Sequence, residues 1–297
     1  MVRMLLRFAA LWLVLVPARG RAQSPTVDWA AVEAAFGRPS AAQDGGVHRW
    51  SMPRSDLTVV ADGVTLRPAF ALGSWMAMLP GANGVLAMGD LVLRDDELNP
   101  VLSALQEGGI EQSAIHHHVI RESPRILYVH IHGHGDPVAI AKAVRAALTH
   151  TGTPAPPATA APAAPVALDT AAITSALGAP GKSNGGVWQV SVPRMETLHD
   201  ADVVLPASMG VATAINFQPT GNGRAVITGD FVMIAPEVNA VIRALRTAGI
   251  EVTSLHNHLL MDEPRLFFLH FWGNADAVTL AKGLRTALQV TNVRGAR

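Results

Sequence analysis

The chain repeats itself, and this limits what it can fold into more than any other feature. His116, His118 and His130 recur as His256, His258 and His270, each 140 positions further along. Around them "GGIEQSAIHHHVIRESPRILYVHIHGHGDPVAIAKAVRAAL" lies over "AGIEVTSLHNHLLMDEPRLFFLHFWGNADAVTLAKGLRTAL" without a gap, and upstream "VLAMGDLVL" lies over "AVITGDFVM". Asp28 to Gly37 match Asp169 to Gly178 at 141 positions, so a loop gained or lost one residue. The chain is a tandem duplication of a unit of roughly 120 residues, a size that suits one hydrophobic core. The boundaries read as a first repeat over 28–150, a linker over 151–167 and a second repeat over 168–291.

The linker "TGTPAPPATAAPAAPVA" is almost pure Pro, Ala and Thr. It has no apolar face to bury and its prolines favour an extended chain, so it reads as a semi-rigid tether long enough to let the repeats meet. Residues 1–22 read as an export signal: Arg3 and Arg7 come first, then a short apolar core from Phe8 to Val16, then Gly20-Arg21-Ala22 at the cleavage spacing. That core is shorter than the ~20 residues of a membrane span, so the expectation is a periplasmic or secreted protein with no membrane span after cleavage.

Formal net charge is +0, without a basic excess to neutralise phosphates, which argues against a nucleic-acid partner. Cysteine is absent, which removes disulfides, thiolate chemistry, cysteine-ligated metal and a lipid anchor through cysteine. Any metal or nucleophilic chemistry must fall to His, Asp, Glu or hydroxyl groups.

Within each repeat the pattern opens with a short helix, Trp29 to Phe36 and Ala171 to Leu177, stopped by glycine. Extended segments follow at His48 to Pro53, Leu57 to Leu66, Ser74 to Leu79 and Gly84 to Leu93. A helix over Asp96 to Glu107, matched by Pro236 to Thr247, precedes two strands and a last helix, Pro137 to Leu148 or Ala277 to Leu288. This order predicts an α+β fold: an antiparallel sheet with helices on one face, the two halves packed pseudo-symmetrically.

The paired strands carry the chemistry. Taking Arg121 to Arg125 as a five-residue hairpin loop sets His116 opposite His130 and His118 opposite Tyr128. Alternation then places His116, His118, Tyr128, His130 and His132 on one face, and Ile115, Val119, Leu127, Val129 and Ile131 on the other. In the second repeat His256, His258, Phe268, His270 and Trp272 share a face, against Leu255, Leu259, Phe267, Leu269 and Phe271. A slip of one residue would bury His130 among the aliphatics, so the register is well specified. Three neutral imidazoles on a rigid hairpin make a metal face, giving one expected site of His116, His118 and His130 and another of His256, His258 and His270. Nitrogen ligation points to zinc first, with copper, iron or nickel as alternatives. His117 becomes Asn257 in the second repeat and is left out; His132 and His134, replaced there by Trp272 and Asn274, at most modify the first site.

Among the acidic residues that persist across the repeats, two pairs are candidate participants: Asp90 with Asp230, and Glu97 with Glu237. The glutamates have a sufficient reason in the helix N-terminus. The aspartates, set between apolar strand residues, need a partner such as Arg125/Arg265 or Arg54/Arg194, or else act as ligand or base.

The duplicated "HHHVIRESPRILYVHIHGHGD" and "HNHLLMDEPRLFFLHFWGNAD" blocks, with "LAKGLRTAL" and "GDFVM", make the chain resemble the LppY/LpqO family of bacterial secreted proteins. The resemblance implies an exported, duplicated domain of unknown function and assigns no activity. The founding members are lipoproteins, an attachment this cysteine-free chain cannot share. The residues themselves point to transition-metal binding, with two alternatives: a metal-dependent hydrolase using Asp90/Asp230 or Glu97/Glu237 as base, or a metal-free module for a small molecule or protein partner. No nucleophile elbow, phosphate loop, dinucleotide fingerprint or His-Glu-x-x-His motif names a reaction.

Overall fold

Residues 26–156 and 164–295 are described by a computed structural model. The expected signal segment 1–22 lies outside the described residues, as do residues 157–163 of the expected linker.

Each repeat starts with a helix, α1 (Trp29–Phe36) in the first. Asp28 caps it by accepting from the Ala31 amide, and Gly37 ends it at φ 77°. Its second-repeat mate Thr170–Leu177 is capped by Asp169 and ended by Gly178 in the same way. The first sheet is built from β1 (Ala41–Gln43), β2 (Val47–Pro53), β3 (Gly73–Gly81), β4 (Gly84–Arg94), β5 (Glu111–His116) and β6 (Ile126–Gly135). Its spatial order is β1-β2-β3-β4-β6-β5, all antiparallel. Helices α2 (Asp95–Glu107) and α3 (Pro137–Leu148) complete the first half.

The second half repeats the plan. Helix α4 (Thr170–Leu177) precedes β7 (Gly181–Asn184), β8 (Val187–Val192), β9 (Thr213–Gly221), β10 (Arg224–Ile234), β11 (Glu251–His256) and β12 (Leu266–Asp276). The sheet runs β11-β12-β10-β9-β8-β7, with α5 (Val238–Thr247) and α6 (Ala277–Leu288). The duplicated α+β fold expected from the sequence is what forms. Among the described residues no helix is long and apolar enough to cross a membrane.

One face of each sheet packs on its helices. Val129 and Ile131 join Val101, Leu105, Ile140 and Val144 in the first core; Leu269 and Phe271 join Val241, Leu245, Leu280 and Leu284 in the second. The opposite faces pack on each other. Ala77, Leu79, Leu86 and Met88 of the first sheet meet Val232, Leu266 and Phe268 of the second, while Val92 and Tyr128 meet Val226 and Trp272. Helices therefore lie outside and the two sheets face each other. Burying each large side chain here contributes about 1.5–3 kcal/mol, so the halves form one body.

Two expectations need correction. The segment Leu57 to Leu66 is not one strand but a small hairpin of Val60–Ala61 and Val64–Thr65. Asp62 and Gly63 turn it, at φ 47° and 75°, as an Asp-Gly pair favours. The five-residue loop is also longer than expected: β5 ends at His116, which pairs with Tyr128, while His130 pairs with Ala114. A bulge between Gln112 and Ala114 follows. The shift is by two residues, so the face partition survives up to His116. Beyond it the alternation lapses: Val119 packs with Tyr128, and Leu259 with Phe268, on the side facing the other half.

Candidate metal centre

The six histidines singled out by the repeat converge on the surface where the halves meet. β5 and β11 are edge strands that adjoin there, fastened by Thr253 Oγ1 donating to the His118 carbonyl at 2.7 Å and Ser254 Oγ to the His117 carbonyl at 2.8 Å. The His116 and His256 rings stack across the junction with centroids 3.8 Å apart. His118 meets His270 at 3.9 Å and His130 meets His258 at 3.8 Å, each pair joining opposite halves. Aromatics floor the cluster: His118 stacks on Tyr128 at 3.4 Å and His258 on Phe268 at 3.5 Å. Tyr128 is fixed by donating its hydroxyl proton to the Ala71 carbonyl at 2.7 Å.

Ligand nitrogens within 4.8 Å of one another form two groups, His116/His256/His270 and His130/His256/His258. Each draws on both halves, and His256 belongs to both. The two separate three-histidine sites expected from the sequence are thus gathered into one composite cluster. The reason is the pseudo-symmetric packing, which brings a ring from one repeat nearer to its neighbour across the junction than the repeat's own members are to each other: His116 and His130 are 4.9 Å apart.

Local hydrogen bonds orient the rings. His130 Nδ1 faces the Gly89 carbonyl at 3.2 Å, His270 Nδ1 the Gly229 carbonyl at 2.6 Å, and His258 Nδ1 the Gly210 carbonyl at 3.2 Å. A carbonyl only accepts, so each of these Nδ1 atoms carries the proton and leaves Nε2 as a lone pair. Gly89 and Gly229 also let the neighbouring strand lie close beside them. A Cβ at Gly229 would sit 2.0 Å from the Ala214 carbonyl oxygen, and one at Gly89 2.5 Å from that of Trp75.

Burial keeps the rings neutral. Desolvation pushes the pKa of His116, His118, His130 and His256 far down, and those of His258 and His270 to about 3. Many polar atoms then lack a partner: His116 Nδ1, His118 Nε2, His130 Nε2, both nitrogens of His256 and His258 Nε2 are buried without a hydrogen bond. Buried polar groups normally find partners, and so many orphans in one place mark a site.

The aspartates belong to this cluster. Asp90 pairs across the strands with His130, and Asp230 with His270. Their carboxylates lie 3.2 Å from His118 Nε2 and 2.8 Å from His258 Nε2. Burial raises Asp230 to about 6. A carboxylate oxygen and a bare imidazole nitrogen at 2.8 Å both seek a positive partner, a proton or a cation. The arginine partners expected for them are taken elsewhere. Arg54 holds Glu97 with bonds of 2.7 and 2.9 Å, and Arg194 holds Glu237 with bonds of 2.7 and 3.0 Å. Glu97 and Glu237 thus neutralise buried arginines and cap helix starts through the Arg94 and Ile234 amides. Arg265 binds Asp262, and Arg125 meets His117.

Sequence comparison passed over one group. His132, His134 and Asp200 also lie mutually within 4.8 Å, with Asp200 reaching in from the second half. The repeat carries none of the three over, because their counterparts are Trp272, Asn274 and Val60.

The fold and site together define a duplicated α+β protein with a histidine cluster at its internal junction. The chain belongs to the family described as Domain of Unknown Function (DUF1259), whose model matches residues 30–150 and again 171–290. A comparison with curated proteins finds no match. Among solved structures, the trimeric bacterial microcompartment shell protein PduB is similar at 14% identity and a TM-score of 0.21, over 86% of this chain and 95% of that one.

Proposed function

We propose that the protein is an exported, periplasmic or secreted transition-metal binder, with His116, His118, His130, His256, His258 and His270 as its centre. The observation that carries this reading is the set of buried, unpartnered imidazole nitrogens aimed at one another across the junction. Neutral nitrogen donors suit zinc first, then copper, iron or nickel. Carbonyl acceptors on the Nδ1 atoms of His130, His258 and His270 supply the outer contacts that orient metal-bound histidines, while Asp90 and Asp230, which face the Nε2 atoms of His118 and His258, stand as carboxylate co-ligands. Export rests on the N-terminal signal pattern and on the LppY/LpqO resemblance.

The enclosure of the cluster favours holding an ion over turning over a bulky substrate. Should hydrolysis occur there, Asp90 and Asp230 are the available bases, since Glu97 and Glu237 are committed to Arg54 and Arg194. Elemental analysis of untagged protein tests the reading, beside the His116→Ala, His256→Ala double variant. Metal in the parent chain and a lower metal content in a folded variant are expected; equal metal in both places the ligands elsewhere.

A further inference from the structure

The central cluster obeys the pseudo-twofold relation of the repeats, but a second constellation does not. His132 and His134 are two apart on β6 and share a face. Asp200, at the end of the second half's short strand Leu198–Asp200, is 1% exposed and enters between them. Its Oδ2 is 2.6 Å from His132 Nε2 and 3.5 Å from His134 Nε2, while its Oδ1 is buried without any partner. Glu111 approaches the other nitrogen of His132, with Oε2 3.3 Å from Nδ1. His134 is half exposed, so the group opens to solvent.

The opposite side of the molecule shows what this position does when it is only structural. There Trp272 replaces His132 and donates Nε1–H to Asp62 of the first half at 2.7 Å. Beside it Arg121 pairs with Asp62 and with Glu251 of the second half, so ordinary hydrogen bonds and an ion pair fasten the halves there. The His132 side carries two imidazoles and a carboxylate instead, with an orphaned carboxylate oxygen left over.

We propose that His132, His134 and Asp200 form a second metal site, separate from the central cluster, that takes a divalent first-row ion such as zinc and keeps a solvent-facing coordination position. Two histidines and one carboxylate with a vacant position is the donor set of open zinc and ferrous sites. Zinc bonded to nitrogen and oxygen at about 2.0–2.2 Å in a tetrahedron separates its donors by about 3.3 Å. The His134–Asp200 spacing of 3.5 Å already matches this, and the His132–Asp200 pair must open slightly from hydrogen-bond length. Glu111 accepts from His132 Nδ1–H, which aims Nε2 at the ion. Because Asp200 comes from the second half and the histidines from the first, the ion ties the halves together on one side only.

The test is titration of the chelated full chain with Co2+ and Zn2+, reading the cobalt absorption and the number of ions bound. His134→Ala, at a half-exposed position, should remove one equivalent while leaving the signal of the central cluster intact. Asp200→Asn should do the same, and Glu111→Gln should weaken that equivalent by about 10–100-fold. The His116→Ala, His256→Ala variant should retain the equivalent that depends on His134, so failure of the central reading and failure of this one are told apart. Unchanged stoichiometry and affinity in both His134→Ala and Asp200→Asn overturns the proposal. Reduced stability of Asp200→Asn at unchanged metal count assigns the trio to a plain ion pair, and overturns it equally.

Discussion

His116 Nε2 lies 3.2 Å from His270 Nε2, although the two histidines belong to different repeats. Since His270 Nδ1–H donates a hydrogen bond to the Gly229 carbonyl, its Nε2 is an acceptor, and His116 must donate. One proton on this contact leaves His116 Nδ1 bare inside the protein, where it is found without a partner. The cluster is therefore a property of the junction and not of either repeat.

Acid should unfold the metal-free protein steeply. His258 and His270 have folded pKa values of about 3 against 6.5 in the unfolded chain. Below pH 6.5 the unfolded state takes up protons that the folded state refuses until about 3, so stability is full above the unfolded value and is lost as pH falls through that window. Each such histidine costs about 1.4 kcal/mol per pH unit there. Urea midpoints of chelated protein at pH 7.5 and 5 should differ strongly; a flat profile would mean the rings are solvated.

Removing a charge from the arginine clasp should destabilise the fold without touching the cluster. Glu97→Gln leaves Arg54, fully buried, with only Asp56 as a charged partner. A loss of about 3–5 kcal/mol is expected, as for breaking other buried pairs. Glu237→Gln should behave alike, Arg194 keeping Glu196. Thermal melts check this, and a change under 1 kcal/mol would reassign the pair to the surface class.

Gly229→Ala should both strain the second sheet and disturb His270. The added methyl meets the Ala214 carbonyl and the Phe271 ring. Overpacking of this kind costs about 1–3 kcal/mol, and displacement of the Gly229 carbonyl loosens the His270 ring it orients. Calorimetric metal titration should show weaker binding together with a lowered melting temperature. Full affinity at a lowered melting temperature would show that the carbonyl does not set the ring.

Small-angle scattering of the protein should give one compact particle, with a radius of gyration of about 18–19 Å for a body of this length. Two lobes moving independently would contradict the shared apolar junction formed by residues such as Met88, Val232 and Phe268.

Much of this was legible in the sequence. The 140-residue echo gave the duplication, and strict alternation gave the inward faces of His116, His130, His256 and His270. Pro137–Leu148 and Ala277–Leu288 form helices at the boundaries expected. Other features were harder to read. The pairing of His116 with Tyr128 depends on where the strand ends, and alternation is blind to a shift of two. That Glu97 serves Arg54 while Asp90 faces His118 depends on contacts between residues far apart in the chain. Asp200 gave no signal at all, because a search for what two repeats share cannot see what only one possesses.

That last point reaches beyond one aspartate. Two identical chains meeting about a twofold axis must present the same residue at both copies of every position, so a change that helps one side is imposed on the other. With both copies on a single chain that constraint is gone. Here one side carries Trp272 against Asp62, and the other His132 against Asp200. The mismatch is one a symmetric pair of chains could not have made, and it gives the molecule a front and a back.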